Sequence, residues 1–363
     1  MDPKTATKWM EEAFALALEA RGTTLPNPAV GCIVLDKTGK PVAKAATSKD
    51  GRPHAERKAL EQAGAKARGG TLVVTLEPCV AFPGKKSPPC AAAAIVAGIE
   101  TVIVGATDPN PQVGGKGLHA LRKSGMEVIE CPLDGIITEF YAGFGHFLAT
   151  GLPRVTVKVA VSSDGNLAAA PGQRTAITGE ATRRFVHSLR AQSDAILIGG
   201  RTALADDPEL TVRDAPGRSP HRLVLWPEAG LPITLKLWSN KAPVTVFGIT
   251  QRPPVLPALA KWVQLPAGPD NKLDLAKLIE WCGAQGIHEL LVEPGQNLLR
   301  SILACDLWSG LWIVRSKTPL PNGVVADVQG RFPATPSTIQ RQFGDDAANF
   351  WKNNQKPSLS PLS

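Results

Sequence analysis

Residues 71–79 read Thr-Leu-Val-Val-Thr-Leu-Glu-Pro-Cys, a run of six apolar or threonine residues followed by a short segment that ends in a cysteine. Such a run is typical of a buried β-strand, so we predict a strand over residues 71–76. An alanine-rich stretch that is closed by a glycine predicts a helix over residues 89–97. A strand, a loop and a helix form the repeating unit of α/β proteins, and this unit places Cys79 and Cys90 at the two ends of its loop.

The rest of residues 1–150 continues this alternation. The element order is α-β-β-α-β-α-β-α-β-α, which is typical of a mixed sheet with helices on both faces. The helices are predicted at 5–20, 54–65, 89–97, 116–124 and 136–150, and the strands at 29–35, 41–46, 71–76, 101–105 and 127–131.

A second α/β pattern begins after Gly151-Leu-Pro153. We therefore expect a domain at 1–150, a second at 151–330, and a loosely ordered tail at 331–363, where proline, serine, asparagine and glutamine are frequent. The second domain is predicted to have strands at 155–161, 194–199, 222–225, 244–247, 289–293 and 311–314, and helices at 179–192, 273–282 and 296–303.

Composition sets limits on the function. The 363 residues suit about two domains at roughly 150 residues each. A hydrophobic fraction of 43% excludes a disordered chain. Of the net charge of +8, residues 1–150 carry +2 and residues 151–363 carry +6, which suits a phosphorylated small molecule. No run of five basic residues exists, so we expect no nucleic-acid partner.

The six cysteines are too sparse for a disulfide scaffold, and the first residues are polar. No stretch reaches the ~18 apolar residues of a membrane span, so we expect no membrane partner. We expect a cytoplasmic protein that forms a homo-oligomer.

The strongest chemical signal is His54-Ala-Glu56 followed by Cys79 and Cys90. One imidazole and two thiolates are good zinc ligands, and they leave the fourth tetrahedral position open for water. Glu56 falls in the first turn of a predicted helix, where it can reach that water without binding the metal. The pattern resembles that of zinc nucleobase deaminases, and the resemblance implies that Glu56 is the catalytic proton shuttle.

Ten residues separate the two cysteines, and this long loop ends in Pro88-Pro-Cys90. The spacing resembles the deaminase of riboflavin biosynthesis, whose reaction removes the 2-amino group of a diaminopyrimidinone ribosylamine 5′-phosphate. The resemblance also implies that Asn27 binds the substrate. The loop departs from the family at Val80-Ala-Phe-Pro-Gly84, where two histidines are missing. The other motifs that carry the resemblance are Pro26-Asn-Pro-Ala-Val-Gly31, Pro53-His-Ala-Glu56, Thr75-Leu-Glu-Pro-Cys79 and Asp108-Pro-Asn-Pro-Gln-Val113.

The second half lacks a Gly-x-Gly-x-x-Gly fingerprint after a strand. A different series of motifs resembles the reductase domain that is fused to the same deaminase and is similar in fold to dihydrofolate reductase. The series comprises Lys158-Val-Ala-Val-Ser-Ser-Asp-Gly165, Ile177-Thr-Gly179, His187-Ser-Leu-Arg190, Asp194-Ala-Ile-Leu-Ile-Gly-Gly-Arg-Thr202, Asp206-Asp-Pro-Glu-Leu-Thr-Val-Arg213 and Val292-Glu-Pro-Gly295.

The resemblance implies that NADPH is the cofactor of this half. It assigns Arg190, Arg213 and Glu293 to the substrate, and the planar donor fork of arginine suits phosphate. The positions that it assigns to NADPH are Val161, Ala176, Thr202, Asp206 and Gly295. At one of these, Ala176, the family commonly carries a tryptophan that packs on the cofactor.

The sequence therefore predicts a two-domain α/β enzyme, a deaminase of the cytidine-deaminase type followed by a reductase of the dihydrofolate-reductase type. Three alternatives stay open. The reductase half could be inactive, and the deaminase could act on nucleic acid. The zinc could also be structural, with Cys32 or Cys131 as a fourth ligand, since structural zinc normally has four protein ligands.

Overall fold

The computed structural model describes residues 1–85, 87–239, 242–268, 270–326 and 337–353. The chain divides into two compact units. One comprises Met1–Thr150 with Pro216–Arg218, and the other comprises Gly151–Ala215 with Ser219–Ser363. No helix in the described ranges is long and apolar enough to cross a membrane.

The first unit contains a five-stranded sheet in the order β2-β1-β3-β4-β5. The pairs of β1 with β2 and with β3 are antiparallel, and β3, β4 and β5 are parallel, so the sheet is mixed as predicted. The strands are β1 (Gly31–Leu35), β2 (Pro41–Ala46), β3 (Thr71–Val74), β4 (Thr101–Val104) and β5 (Glu127–Glu130). The helices are α1 (Pro3–Ala20), α2 (Ala55–Ala63), α3 (Cys90–Ala97), α4 (Lys116–Lys123), α5 (Ile136–Phe140) and α6 (Ala142–Thr150).

The predicted helix at 136–150 is divided in two at Tyr141. The Tyr141 hydroxyl donates to the Ala29 carbonyl at 2.9 Å and lies 2.7 Å from the Thr75 hydroxyl. These bonds join the segment between α5 and α6 to the segments beside β1 and β3. Such long-range hydrogen bonds leave no periodic signal in the sequence.

The second unit contains a nine-stranded sheet in the order β11-β10-β9-β8-β12-β6-β13-β16-β15. Neighbours from β11 to β13 are parallel, and the last three strands are antiparallel. The strands are β6 (Arg154–Val161), β7 (Asn166–Ala168), β8 (Ala195–Ile198), β9 (His221–Leu225), β10 (Val244–Gly248), β11 (Lys261–Gln264), β12 (Glu289–Val292), β13 (Gly310–Arg315), β14 (Val324–Val325), β15 (Ile339–Phe343) and β16 (Asp346–Lys352). The helices are α7 (Glu180–Ala191), α8 (Gly200–Asp206), α9 (Leu275–Ala284) and α10 (Gln296–Ala304), and a small separate sheet pairs β7 with β14.

The expectation of a loose tail at 331–363 is wrong over residues 337–353. There β15 and β16 form a hairpin that adds to the sheet at β13. Every second residue from Asp346 to Phe350 is buried, and the centre of the Phe350 ring lies 4.8 Å from that of the Trp312 ring. Two of the glutamines that suggested a tail, Gln340 and Gln342, lie in the exposed strand β15. Residues 331–336 and 354–363 lie outside the described residues.

The hairpin also supports α7. The Asp346 carboxylate accepts hydrogen bonds from the Gly179 N–H at 2.8 Å and from the Thr182 hydroxyl at 2.7 Å. Gly179 occupies the N-cap position and has no side chain that could satisfy the free N–H groups of the first turn. The cap is therefore supplied by a residue that is distant in the sequence.

Candidate active sites

The three predicted metal ligands come together in the first unit. His54 directly precedes α2, Cys79 follows β3, and Cys90 is the first residue of α3. The Nδ1 atom of His54 lies 3.7 Å from the Cys79 Sγ atom and 3.4 Å from the Cys90 Sγ atom. With Zn–S bonds of about 2.3 Å and Zn–N bonds of about 2.0–2.1 Å, tetrahedral donors lie roughly 3.4–3.8 Å apart. The donor atoms thus fit a zinc ion.

The electrostatics of the cluster favour a thiolate. The hydrogen bond from the Cys90 side chain lowers the pKa of Cys79 to about 3, with further donation from His54 and from the Cys90 N–H at 3.4 Å. The pKa of Cys90 is raised, chiefly by its side-chain hydrogen bond to Cys79 and next by burial. The pKa of His54 is raised chiefly by its hydrogen bond to Cys79. A thiolate is the form that binds zinc.

Glu56 lies in the first turn of α2 and is 3% exposed. Its Oε2 atom is buried and has no hydrogen-bond partner among the described residues. Burial, followed by the nearby charge of Cys79, raises the pKa of the Glu56 carboxyl to about 7. A buried carboxylate oxygen without a partner is costly, and a pKa near neutrality suits proton transfer.

The alternative of a four-ligand structural site lacks support. The group of potential metal ligands in the described ranges consists of His54, Cys79 and Cys90, and neither Cys32 nor Cys131 belongs to it. A site with three protein ligands leaves a position for water, as in catalytic zinc sites.

Apolar side chains cover the two ligand cysteines. Val113 is packed in a cluster with Cys79 and Cys90, and Phe82 packs against this cluster. The Lys85 ammonium lies 5.3 Å from the centre of the Phe82 ring. The loop that departs from the family therefore supplies an aromatic cover to the cluster.

Asn27 is close in space to the segment that carries His54. Its Nδ2 atom donates to the Gly51 carbonyl at 2.9 Å, three residues before the ligand. Gly51 has a φ of +82°, and a Cβ atom there would lie 2.4 Å from the Asn27 Nδ2 atom. This contact fixes the amide of Asn27, and its substrate role stays a prediction.

Sequence reasoning assigned no role to Glu77, which is the buried carboxylate of the Thr75-Leu-Glu-Pro-Cys79 motif. It accepts hydrogen bonds from four backbone N–H groups between residues 108 and 118. In the same segment, the Asp108 and Asn110 side chains accept from the N–H groups of Asn110 at 2.8 Å and Gln112 at 3.0 Å. Both are thus turn-forming residues. Burial raises the pKa of the Asp108 carboxyl to about 6.

In the second unit, a cleft of about 1950 Å³ lies at the carboxyl ends of β8, β9, β10 and β12. Ligands of open α/β sheets bind at this edge. The volume exceeds the ~300–1,000 Å³ of a site for one drug-sized ligand, so a cofactor and a substrate fit together. The predicted residues that line the cleft are Ala176, Arg190, Thr202, Asp206, Arg213, Glu293 and Gly295.

Arg190 and Glu293 form a two-point ion pair within the cleft. The Arg190 Nε and Nη2 atoms donate to the two carboxylate oxygens of Glu293 at 2.8 and 2.9 Å, and Nη1 donates to the Thr211 carbonyl at 3.2 Å. Burial would raise the pKa of Glu293, but Arg190 and, to a lesser degree, Lys158 outweigh it and lower the pKa. The carboxylate therefore stays charged.

Arg213 has a more exposed guanidinium. Its Nη1 atom donates to the Glu209 carboxylate at 3.0 Å and to the Thr211 hydroxyl at 2.7 Å, and half of its side chain is accessible. The His187 Nδ1 atom accepts from the Arg213 N–H at 2.8 Å and so fixes the backbone. Of the two arginines, Arg213 is the more available to a ligand.

Thr202 and Gly295 are neighbours. A Cβ atom at Gly295 would lie 2.7 Å from the Thr202 Oγ1 atom, so a side chain at 295 would displace it. The starts of α8 and α10 thus lie side by side.

Val161 does not line the cleft. It is 1% exposed, and the residues of β6 that line the cleft are Lys158, Val159 and Ala160. Ala176 is exposed on a loop of the cleft.

Two family descriptions match the chain. The cytidine and deoxycytidylate deaminase zinc-binding region matches residues 3–106, and the RibD C-terminal domain matches residues 153–313. The two matches confirm the predicted fold, a deaminase-type α/β domain followed by a reductase-type α/β domain.

Relatives and solved structures extend over most of the chain. The riboflavin biosynthesis protein RibD of Aquifex aeolicus is 39% identical over 299 residues, covering 81% of this chain and 82% of that protein. Its counterpart in Escherichia coli K12 is 37% identical over 313 residues, covering 82% and 84%. The structure of Acinetobacter baumannii RibD, form 1, has a TM-score of 0.73 at 32% identity and covers 98% of this chain and 100% of that one. The diaminohydroxyphosphoribosylaminopyrimidine deaminase/5-amino-6-(5-phosphoribosylamino)uracil reductase of Thermotoga maritima has a TM-score of 0.74 at 29% identity and covers 96% and 99%.

Proposed function

Because the chain belongs to the RibD family of riboflavin biosynthesis proteins, we propose that it is a bifunctional enzyme with one activity in each unit. The first unit deaminates 2,5-diamino-6-(5-phosphoribosylamino)pyrimidin-4-one to the corresponding uracil. The second unit then reduces the ribosyl group to ribityl. The observation that carries the first step is the cluster of His54, Cys79 and Cys90 beside the buried Glu56.

In the first unit, His54, Cys79 and Cys90 would hold zinc. When bound, zinc lowers the pKa of a coordinated water to about 7 and so supplies a nucleophile at neutral pH. Glu56 takes a proton from the water that attacks C2 of the pyrimidine and delivers it to the 2-amino group. The C2–O bond forms, the C2–N bond breaks, and ammonia leaves. The pKa of Glu56 near 7 suits both transfers.

In the second unit, the support for a cofactor is the size of the cleft and the set of residues along it. NADPH, when bound, supplies a hydride, and we propose that C1 of the opened ribosyl chain accepts it. Thr202, Asp206 and Gly295 would bind it, and Ala176 would lie beside it without an aromatic ring. Because the Val161 side chain is buried, we propose that only its backbone contacts the cofactor.

We assign Arg213 to the phosphate of the substrate, since its guanidinium is half exposed and stands at the cleft. Arg190 holds the carboxylate of Glu293. Each carboxylate oxygen keeps a second acceptor position, so Glu293 can also accept from a substrate hydroxyl. Asn27 is proposed to bind the pyrimidine in the first unit. Cytoplasmic location and a homo-oligomer stay predictions.

The test separates the two steps. The protein is incubated with the diaminopyrimidinone nucleotide, and ammonia is measured before NADPH is added. NADPH absorbance is then followed. We expect ammonia without NADPH, and NADPH oxidation after deamination. Ammonia without any NADPH oxidation would show that the reductase is inactive. Deamination of RNA or single-stranded DNA, with no turnover of the free nucleotide, would refute the proposed substrate.

A further inference from the structure

Glu77 occupies an unusual position for a carboxylate. It lies three residues after the end of β3 and two residues before Cys79, and it is 2% exposed. Four backbone N–H groups donate to it. Its Oε1 atom accepts from Gly117 at 2.7 Å and Leu118 at 3.2 Å, and its Oε2 atom accepts from Gly115 at 2.9 Å and Asp108 at 3.1 Å. A carboxylate offers about four acceptor sites, so all of its capacity is used by one segment of backbone.

Two of these bonds cap α4. The N-cap residue is Gly115, which has a φ of +79° and no side chain that could accept from the first turn. Glu77 supplies the missing acceptor, and its negative charge suits the positive end of the helix dipole. The approach is close, since a Cβ atom at Gly117 would lie 2.1 Å from the Pro78 carbonyl oxygen. The backbone at Pro78, just before Cys79, thus packs directly against the start of α4.

The segment that Glu77 holds is also a wall of the ligand cluster. It begins at Asp108, whose N–H is one of the four donors, and it carries Val113. Val113 is 2% exposed and packs with Cys79 and Cys90. Glu77 therefore connects the strand that leads to one ligand with the loop that covers both.

We propose that Glu77 is a positioning residue of the deaminase, which holds the loop from Asp108 to Gly117 as the substrate-side wall of the site. This inference rests on the proposed function. Glu77 acts through the loop, because its own oxygens are occupied by backbone N–H groups. We expect its effect on substrate binding rather than on zinc content, since its four hydrogen bonds go to a segment that contains no ligand.

The test uses Glu77→Gln in the full-length zinc protein. Glutamine has the same length, but its NH2 group faces two N–H donors and cannot accept from them. We expect the KM for the diaminopyrimidinone nucleotide to rise at least tenfold, with a smaller change in kcat and with zinc content equal to that of the wild type. NADPH-dependent reduction of the deaminated nucleotide should be unchanged. We assign that activity to the second unit of the same chain, so it reports whether the variant protein is folded and intact.

A double-mutant cycle with Asp108→Ala, which removes the acceptor of the Asn110 N–H, shows whether the effect passes through the loop. We expect Asp108→Ala to raise the KM by itself but to add little to the KM of Glu77→Gln. Asp346→Asn is the matched control, since it removes the charge of a buried capping carboxylate in the other unit. It should leave the deaminase KM unchanged. If Glu77→Gln does not fold, Glu77→Asp keeps the charge at a shorter reach and should still raise KM.

An unchanged KM in a folded variant would overturn the proposal. Additive effects in the cycle, or loss of zinc in parallel with activity, would also overturn it, because Glu77 would then serve the metal cluster or general stability. Failure of the wild-type protein to release ammonia would instead refute the proposed function.

Discussion

Arg190 and Glu293, which are 103 residues apart in the chain, are joined by two nearly parallel hydrogen bonds of 2.8 and 2.9 Å. Their side chains are only 11% and 18% exposed. The pair connects α7 to the end of β12 and forms part of the cleft wall. Such a paired geometry needs the planar fork of arginine.

We predict that Arg190→Lys lowers the rate of NADPH oxidation at least tenfold, because lysine cannot donate both bonds in this geometry. The free energy of unfolding of the second unit should fall by roughly 1–3 kcal/mol, since a partly buried acceptor loses a donor. Steady-state kinetics and denaturant titration measure the two effects. Ammonia release serves as the internal control, and an equal loss of both activities would contradict the prediction.

Glu56→Gln is expected to lower ammonia release by about 10²–10⁴-fold, the usual size of a general acid–base contribution. Zinc content, measured by atomic emission, should remain that of the wild type, because Glu56 is not one of the clustered ligands. Glu61→Gln is a suitable control. It lies on the same helix in an exposed pair with Arg57 and should change nothing.

Metal removal should separate the two activities. Dialysis against a chelator is expected to abolish ammonia release and leave reduction of the deaminated nucleotide intact, because the ligand cluster lies within the first unit. Addition of zinc should restore ammonia release. Loss of both activities on chelation would show that the second unit also depends on the metal.

Asp346→Ala removes the acceptor that caps α7. Loss of an N-cap typically costs about 0.5–2 kcal/mol, so the second unit should be destabilised by this amount. Urea unfolding, followed by the fluorescence of tryptophans such as Trp312, measures the change. Asp345→Ala is the control, because that neighbouring residue pairs with Lys317 at the surface. A destabilisation of equal size in the control would contradict the capping role.

We predict that the buried His221 makes the free energy of unfolding depend on pH. Burial, followed by the charges of Lys261 and Arg222, lowers its pKa from 6.5 to about 4. Between these values the unfolded chain binds more protons, so the free energy of unfolding falls as pH decreases from about 6.5 to 4 and levels off below. At about 1.4 kcal/mol per unit of pKa, the loss amounts to roughly 3 kcal/mol.

The comparison variant for this titration is His221→Gln, which cannot be protonated but retains a polar group beside the Thr245 hydroxyl. Its unfolding free energy should show a shallower decrease between pH 6.5 and 4 than that of the wild type. Parallel curves for the two proteins would assign the pH dependence to other groups.

Most helices and strands could be predicted from the sequence, because apolar periodicity and glycine or proline breaks are local signals. The metal ligands and Glu56 could also be predicted, since their types and spacing are specific. Glu77 and the hairpin of β15 and β16 were missed for different reasons. The acceptor role of Glu77 depends on backbone groups at least 31 residues away, and the hairpin strands are rich in polar residues because one of them is exposed.

The sequence by itself determined the α/β class, the family and the residues that bring chemistry to each half. Tertiary structure decided how these residues are used. It brought His54 to within 3.4 Å of the Cys90 sulfur, paired Arg190 with Glu293, and buried Val161 away from the cleft. The physical reason is that residue type and local pattern are properties of neighbours in the chain. Acceptor occupancy, burial and charge pairing depend instead on segments that meet only after folding.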